Sequence, residues 1–304
     1  MTYSPLANPR ATRDMLNRFG LSAKHALGQN FLIDDHVVGK ILKLADLLPS
    51  EGEPQVELPT VIEIGPGIGT LTSALLEHAS VVSVERDKDL IAPLSETTAF
   101  NSDRFALIQG DALKAEREDI AKACDSIHAG LPGSLVANLP YSIAATVILD
   151  WIERFEFLDS MVIMVQSEVA DRISAETGTK EYGAYTVKLA QFAKVTGRFQ
   201  VPPTCFSPAP HVESAVIRLD RIQTEETGDD SEVMSITKAT CKVAEAAFAQ
   251  RRKTIRNSMK SVFPTQTVDE LLEAVEVDPR TRAETLSPET FRKMGASLLE
   301  LRQE

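Results

Sequence analysis

Short apolar runs punctuate the first two thirds of the chain, and most are followed by a stretch with helical spacing. Val61-Ile62-Glu63-Ile64, Val81-Val82-Ser83-Val84, Phe105-Ala106-Leu107-Ile108-Gln109, Leu135-Val136-Ala137 and Met161-Val162-Ile163-Met164-Val165 read as strands. Between them, the spacing predicts helices over Thr70 to Ala79, up to about Ala123, and over residues 143–155. A helix opens near Gln166 to Arg172, and another runs from Tyr182-Gly183-Ala184-Tyr185 to about Ala193. Lys194 to Phe199 and Ser214 to Leu219 read as the last two strands. Upstream, Asp34 or Asp35 looks like an N-cap, because Val37, Val38, Ile41, Leu42 and Ala45 follow at helical spacing. Strands alternating with helices predict an α/β sheet. Beyond the acidic run Glu225-Glu226-Thr227-Gly228-Asp229-Asp230 the pattern is helical to the end, with a helix over Val243 to Phe248. That run is the boundary candidate, dividing the chain into residues 1–222 and 231–304. No internal repeats occur.

The strand ends carry the candidate chemistry. Gly65-Pro66-Gly67-Ile68-Gly69 follows the first strand at once, where a backbone must turn sharply and let a ligand approach. Glu85 ends the second strand, at the spacing that lets a carboxylate accept from ribose hydroxyls. Asp111 follows the third strand, placed to meet an adenine amine, and Asn138 ends the fourth. Ligands of open α/β sheets bind along this edge. Thr70 stands where a dinucleotide fingerprint wants Gly or Ala, which favours S-adenosylmethionine over NAD. A purely structural strand–turn–helix is the competing reading.

Asn138-Leu139-Pro140-Tyr141 has the makings of a site for a flat heterocycle with an exocyclic amine. The N6 nitrogen of adenine is a poor nucleophile, so an enzyme has to accept hydrogen bonds from its N–H groups. Asn138 Oδ1 and the Leu139 carbonyl would supply two acceptors, with Pro140 biasing Leu139 to an extended conformation. Tyr141 would stack on the base, a contact worth ~1–3 kcal/mol in single-stranded complexes. The plainer reading is a turn that ends a strand. A second aromatic, Phe206, lies in the proline-rich stretch 201–210, where it would close on the opposite face of the base or merely plug the hairpin.

Composition narrows this picture in one respect and complicates it in another. The 304 residues carry 32 Lys and Arg against 44 Asp and Glu, a net charge of -12, which taken alone argues against a nucleic-acid partner. Positive charge is segregated, however. Residues 251–260 hold Arg251, Arg252, Lys253, Arg256 and Lys260 with no acid among them. Such a run is either a solvated face or a phosphate contact, and mutual repulsion favours the latter. Arg10, Arg13 and Arg18 make the N-terminal arm locally basic as well, as a solvated helix or an RNA-touching arm. Cys124, Cys205 and Cys241 are widely spaced, so no zinc knuckle or disulfide framework is expected, and no metal. No apolar run approaches the ~20 residues of a membrane span, and no signal-peptide pattern opens the chain, so a cytoplasmic protein is expected.

Together these motifs resemble the ribosomal RNA adenine N6,N6-dimethyltransferases. The likeness rests on Gly28-Gln29-Asn30-Phe31-Leu32, Glu63-Ile64-Gly65-Pro66-Gly67, Asn138-Leu139-Pro140-Tyr141, the stretch Phe206 to Val216, and Phe248-Ala249-Gln250-Arg251-Arg252-Lys253-Thr254-Ile255-Arg256-Asn257. It implies a Rossmann-like, mostly parallel seven-stranded methyltransferase sheet with a small helical C-terminal domain. It also implies S-adenosylmethionine as cofactor, held at Asn30, Leu32, Gly65, Glu85, Asp111 and Asn138, with Asn138, Leu139, Pro140, Tyr141 and Phe206 around the target base. The expected substrate is a pair of adjacent adenosines near the 3′ end of 16S rRNA, within the small subunit or its precursor. Arg251, Arg252, Lys253 and Arg256 are the expected RNA contacts, and a monomer the expected state. A large-subunit enzyme of the antibiotic-resistance type would share the sheet, but the 248–257 motif favours the small-subunit type. A non-catalytic assembly factor would keep the fold without the chemistry, against which the intact glycine loop, Glu85 and Asn138 argue. A nicotinamide dehydrogenase would want a different residue at Thr70.

Overall fold

The computed structural model of the chain describes residues 2–24, 28–48, 58–222 and 230–301. His25, Ala26 and Leu27 of the glycine-containing loop, and Glu225 to Asp229 of the acidic boundary run, lie outside the described residues. Along the chain come α1 (Pro9–Arg18), β1 (Phe31–Leu32), α2 (Asp35–Leu44), β2 (Thr60–Ile64), α3 (Thr70–Leu76), β3 (Ser80–Glu85), α4 (Ile91–Thr98), β4 (Phe105–Gln109) and α5 (Arg117–Ser126). They are followed by β5 (Ser134–Asn138), α6 (Ala144–Arg154), β6 (Ser160–Gln166), α7 (Ser167–Ile173), α8 (Ala184–Leu189), β7 (Ala193–Val201), β8 (Phe206–Ser207) and β9 (Ser214–Arg221). The last four are α9 (Asp230–Phe248), α10 (Ile255–Met259), α11 (Thr265–Ala274) and α12 (Pro288–Glu300).

Seven strands form one sheet in the order β4-β3-β2-β5-β6-β9-β7, with β2 to β6 parallel and β9 antiparallel to β6. The chain moves outward on one side of β2 through β3 and β4, then returns to place β5 on its other side. The reversal point therefore lies between the carboxyl ends of β2 and β5, where open α/β sheets form their binding crevice. All five residues of β2 are buried, as expected of a central parallel strand covered on both faces. β1 and β8 make a separate two-stranded ribbon, Phe31 opposite Ser207 and Leu32 opposite Phe206. The N-terminal arm is tied down locally: Asp34 caps α2 through Val37 N at 3.1 Å, and Asp35 Oδ1 accepts from Tyr3 N at 2.9 Å and Ser4 N at 2.7 Å. Of the basic arm, α1 buries Met15 with Leu6, Phe31, Ile68 and Leu90 and leaves Arg10, Arg13 and Arg18 exposed.

The chain divides into two compact units, Met1–Ala170 with Val195–Arg221, and Asp171–Lys194 with Ile222–Glu304. The reading at 222/231 keeps residues 171–194 with the sheet. They group with the helices instead because Tyr182 and Val187 are buried in the cluster built by Val243, Leu271, Phe291 and Met294. Within that unit Tyr182 donates its hydroxyl to the Leu286 carbonyl at 2.8 Å. The helix expected over Val243 to Phe248 starts much earlier, at Asp230.

Candidate active site

The glycine turn after β2 is shaped by conformations that only glycine adopts without cost. Gly65 and Gly67 have φ of 69° and 64°. Gly65 N donates to the Val84 carbonyl at 2.9 Å, holding the turn against β3. A Cβ on Gly65 would lie 3.4 Å from Pro140 Cδ, and one on Gly67 3.4 Å from Phe31 Cε1. The missing side chains thus keep a hollow open between the turn, residues 28–32 and the tip of β5. One continuous pocket is lined by Asn30, Gly65, Glu85, Asp111, Asn138 and Tyr141, together with Gln29, Leu32, Leu139 and Pro140.

At the β3 tip, Glu85 Oε2 accepts from Gly67 N at 3.2 Å and Oε1 from Asp87 N at 2.7 Å. Burial pushes its pKa above the ordinary glutamate value, and the two N–H groups offset part of that rise. At the β4 tip, Asp111 Oδ1 caps the following turn through Leu113 N at 3.1 Å, and Oδ2 lies 3.5 Å from Arg86 Nη1. Thr70, on the same pocket wall, buries a hydroxyl that has no hydrogen-bond partner among the described residues. An unsatisfied hydroxyl in such a place suits a polar ligand group. Glycine hollow, buried acid and orphaned hydroxyl fit an adenosyl ligand that carries an amino-acid tail. Among the described residues, no cluster of three His, Cys, Asp or Glu side chains suits a metal ion.

At the β5 tip the backbone stays in register one residue past the strand, with Leu139 N donating to the Met164 carbonyl at 3.1 Å. Leu139 is buried and lines the pocket. Asn138 Nδ2 donates to the Asn30 carbonyl at 3.2 Å, so Oδ1 is the acceptor this amide has left to offer. Tyr141 is half-buried, and its hydroxyl shares a 2.5 Å hydrogen bond with Ser214 Oγ. Burial raises its pKa, keeping the ring a neutral phenol.

Sequence-predicted residues not brought to the pocket are equally definite. Phe206 is 3% exposed, absent from the pocket wall, and packed in the core with Leu32, Val37, Ile41 and Cys205. Pairing of β8 with β1 turns it inward. Arg256 makes a bidentate pair with Asp269 at 2.5 and 2.6 Å, so its guanidinium is already engaged. Arg251 lies 4.0 Å from Glu284, while Arg252 and Lys253 are exposed and have no ion pair among the described residues. Sequence reasoning missed Asp87, Arg86 and Ser214. Asp87, two residues past Glu85, gives no sign of its partner Gln29, which lies 58 positions away.

Residues 20–299 match the family model described as Ribosomal RNA adenine dimethylase. The Ribosomal RNA small subunit methyltransferase A of Mesorhizobium japonicum is 40% identical, over 94% of this chain and 97% of that protein. Its counterpart of the same name in Geobacillus kaustophilus is 36% identical, over 98% of this chain and 99% of that protein. In fold, the chain is similar to the crystal structure of a dimethyladenosine transferase from Plasmodium falciparum, with a TM-score of 0.68 at 23% identity over 90% of this chain and 98% of that one. The chain belongs to the ribosomal RNA adenine dimethylase family.

Proposed function

We propose that this protein transfers methyl groups from S-adenosylmethionine to N6 of two adjacent adenosines near the 3′ end of 16S rRNA, giving N6,N6-dimethyladenosine. The observation that carries the reading is the single pocket joining the glycine turn to the Asn138–Tyr141 segment. It gives a methyl donor and a purine amine one shared enclosure. S-adenosylmethionine, when bound, supplies a methyl group on a positively charged sulfur. Asn30, Leu32, Gly65, Glu85 and Asp111 would hold it, with the Glu85 carboxylate accepting from ribose hydroxyls and Asp111 from the adenine amine.

Asn138 Oδ1 and the Leu139 carbonyl accept hydrogen bonds from N6 of the target base, which aims the nitrogen lone pair at the methyl group. Tyr141, steadied by Ser214, offers a flat face to a base drawn out of its stack, as enzymes acting on bases require. Phe206 supports the ribbon beneath, and covering the opposite face would require it to leave the core. No strong base is needed, because the amine loses a proton readily once alkylated. Positioning supplies the rate effect, up to ~7–11 kcal/mol. Arg251, Arg252 and Lys253 contact rRNA phosphates. The protein acts as a monomer in the cytoplasm, on the small subunit or its precursor. Among the described residues no helix is long and apolar enough to cross a membrane.

The test is Asn138→Ala, assayed by methyl incorporation into small subunits from cells lacking the protein and by calorimetric titration with S-adenosylmethionine. Turnover is expected to fall by roughly 100-fold or more while cofactor affinity is largely kept. Full turnover by the variant would remove Asn138 from the reaction.

A further inference from the structure

A hydrogen-bond network on the pocket wall ties down the residue on which Asn138 depends. Gln29 Nε2 donates to Asp87 Oδ2 at 2.8 Å, and Gln29 Oε1 accepts from Lys24 N at 2.9 Å. The other carboxylate oxygen of Asp87 accepts from Lys24 Nζ at 2.6 Å and from Asp89 N at 3.2 Å. Asp87 is only 7% exposed. Burial pushes its pKa up, but the Lys24 ammonium and the Gln29 amide outweigh this and hold it below the ordinary aspartate value. Asp87 is thus a fixed, ionised acceptor, anchored in turn by its own N–H on Glu85.

Asn30 is the next residue after Gln29, and its carbonyl takes the Asn138 amide. Beyond Asn30 the chain is held by different means, the pairing of Phe31 and Leu32 with Ser207 and Phe206. Residues 28–30 therefore run from the tip of β3 to the tip of β5, fastened at one end by Gln29 on Asp87. An asparagine amide has two orientations, and only donation of Nδ2 to a carbonyl decides which one is occupied.

We propose that Gln29 and Asp87 are positioning residues for methyl transfer: the hydrogen bond between them sets the Asn30 carbonyl, which holds the Asn138 amide with Oδ1 free to accept from N6. The inference rests on the role of Asn138 given under Proposed function. Because β1 stays paired to β8, loosening Gln29 disturbs the Asn30 carbonyl and the Asn138 amide, while four of the five residues that would hold the cofactor, Leu32, Gly65, Glu85 and Asp111, keep their places. The rate is therefore more sensitive than cofactor affinity.

The experiment compares the full-length wild-type protein with Gln29→Ala, Gln29→Glu, Asp87→Asn and the double variant Gln29→Glu/Asp87→Asn. The readouts are kcat on undermethylated small subunits, Kd for S-adenosylmethionine by calorimetry, and the urea midpoint. Gln29→Glu sets two carboxylates against each other. The double variant restores one donor and one acceptor across the same gap and leaves an oxygen for Lys24 Nζ. Gln29→Ala and Gln29→Glu are expected to lower kcat about tenfold, with Kd for S-adenosylmethionine within about threefold; Gln29→Ala keeps the urea midpoint, whereas the opposed carboxylates of Gln29→Glu lower it. The double variant is expected to recover kcat to within about threefold of wild type. An unchanged kcat in Gln29→Glu, no recovery in the double variant, or a Kd that weakens in step with kcat would each overturn the inference. A wild-type protein that failed to bind S-adenosylmethionine would overturn the reading of the pocket itself, and the inference with it.

Discussion

Glu63 lies two residues before the glycine turn with its carboxylate wholly buried. Its Oε2 accepts from Thr72 Oγ1 at 2.7 Å and from Ser83 Oγ at 3.2 Å, with no cation beside it among the described residues. Burial pushes its pKa from 4.5 up to about 7; the two hydroxyls offset part of the rise and nearby Glu85 adds to it. The folded protein therefore binds this proton more tightly than the unfolded chain does. The stability tied to the group is fully present below about pH 4.5 and is lost as the pH rises through about 7. At 1.36 kcal/mol per pH unit that amounts to about 3 kcal/mol. Glu63→Gln keeps the shape and removes the titration. The variant should gain stability relative to wild type between pH 5 and pH 8, by about 3 kcal/mol in urea unfolding. Parallel pH profiles for the two proteins would refute the assignment. The sequence shows a lone acid inside an apolar run, but not that it lacks a cation. Nor does it show the two hydroxyls of Thr72 and Ser83, which only the folded α3 and β3 bring to it.

At the scale of elements, the turn between β2 and α3 shows how closely backbone conformation and packing are joined. Gly69 ends the turn at φ 89°, and a Cβ there would lie 2.8 Å from Thr97 Cγ2 and 3.1 Å from Leu94 Cδ1. Left-handed backbone costs a side chain ~1–2 kcal/mol, and overpacking adds ~1–3 kcal/mol. Gly20 is a natural control, with φ 64° and nothing within 4 Å of its added Cβ. Gly69→Ala should therefore lose about 3 kcal/mol in urea unfolding, against about 1 kcal/mol for Gly20→Ala. Equal losses would mean that α4 does not press on the turn. The turn, the strands of the main sheet and the acids at their tips were legible because short apolar runs, glycines and tip residues follow one another within a few positions. The β1–β8 ribbon was not, because its pairing joins Leu32 to Phe206 across most of the chain. For the same reason the sequence left Phe206 between closing on the base and plugging the hairpin, whereas the ribbon turns it into the core. The start of α9 was not legible, because residues 230–242 mix Ser, Thr and Lys with few large apolar positions, so only Val243 to Phe248 stood out within a pattern read as helical throughout.

For the whole molecule, the acidic total and the basic run of the helical unit pull in opposite directions, and ionic strength separates them. A net charge of -12 repels RNA at long range, while each cation seated on a phosphate releases counterions and steepens the fall of affinity with salt by about 0.7–0.9 in log–log slope. The sequence counted Arg256 among those cations. The fold gives it to Asp269, whose carboxyl it holds below the ordinary aspartate value, so replacing it should disturb the packing of α10 and α11 before it disturbs RNA. Arg252 and Lys253 are exposed at the start of the same segment and are the cleaner test. Arg252→Glu/Lys253→Glu in the full-length protein should bind small-subunit rRNA more weakly at low salt, with a log–log slope shallower by about 1.4–1.8 and an unchanged melting temperature. Because the double reversal also deepens the net negative charge, a general electrostatic effect would weaken binding as well. A matched reversal at Lys43 and Lys122, exposed on α2 and α5, controls for it. If both double variants shift the slope equally, the 251–253 run acts only through total charge and is no phosphate contact. A larger change at Arg252 and Lys253 would locate the contact on the helical unit.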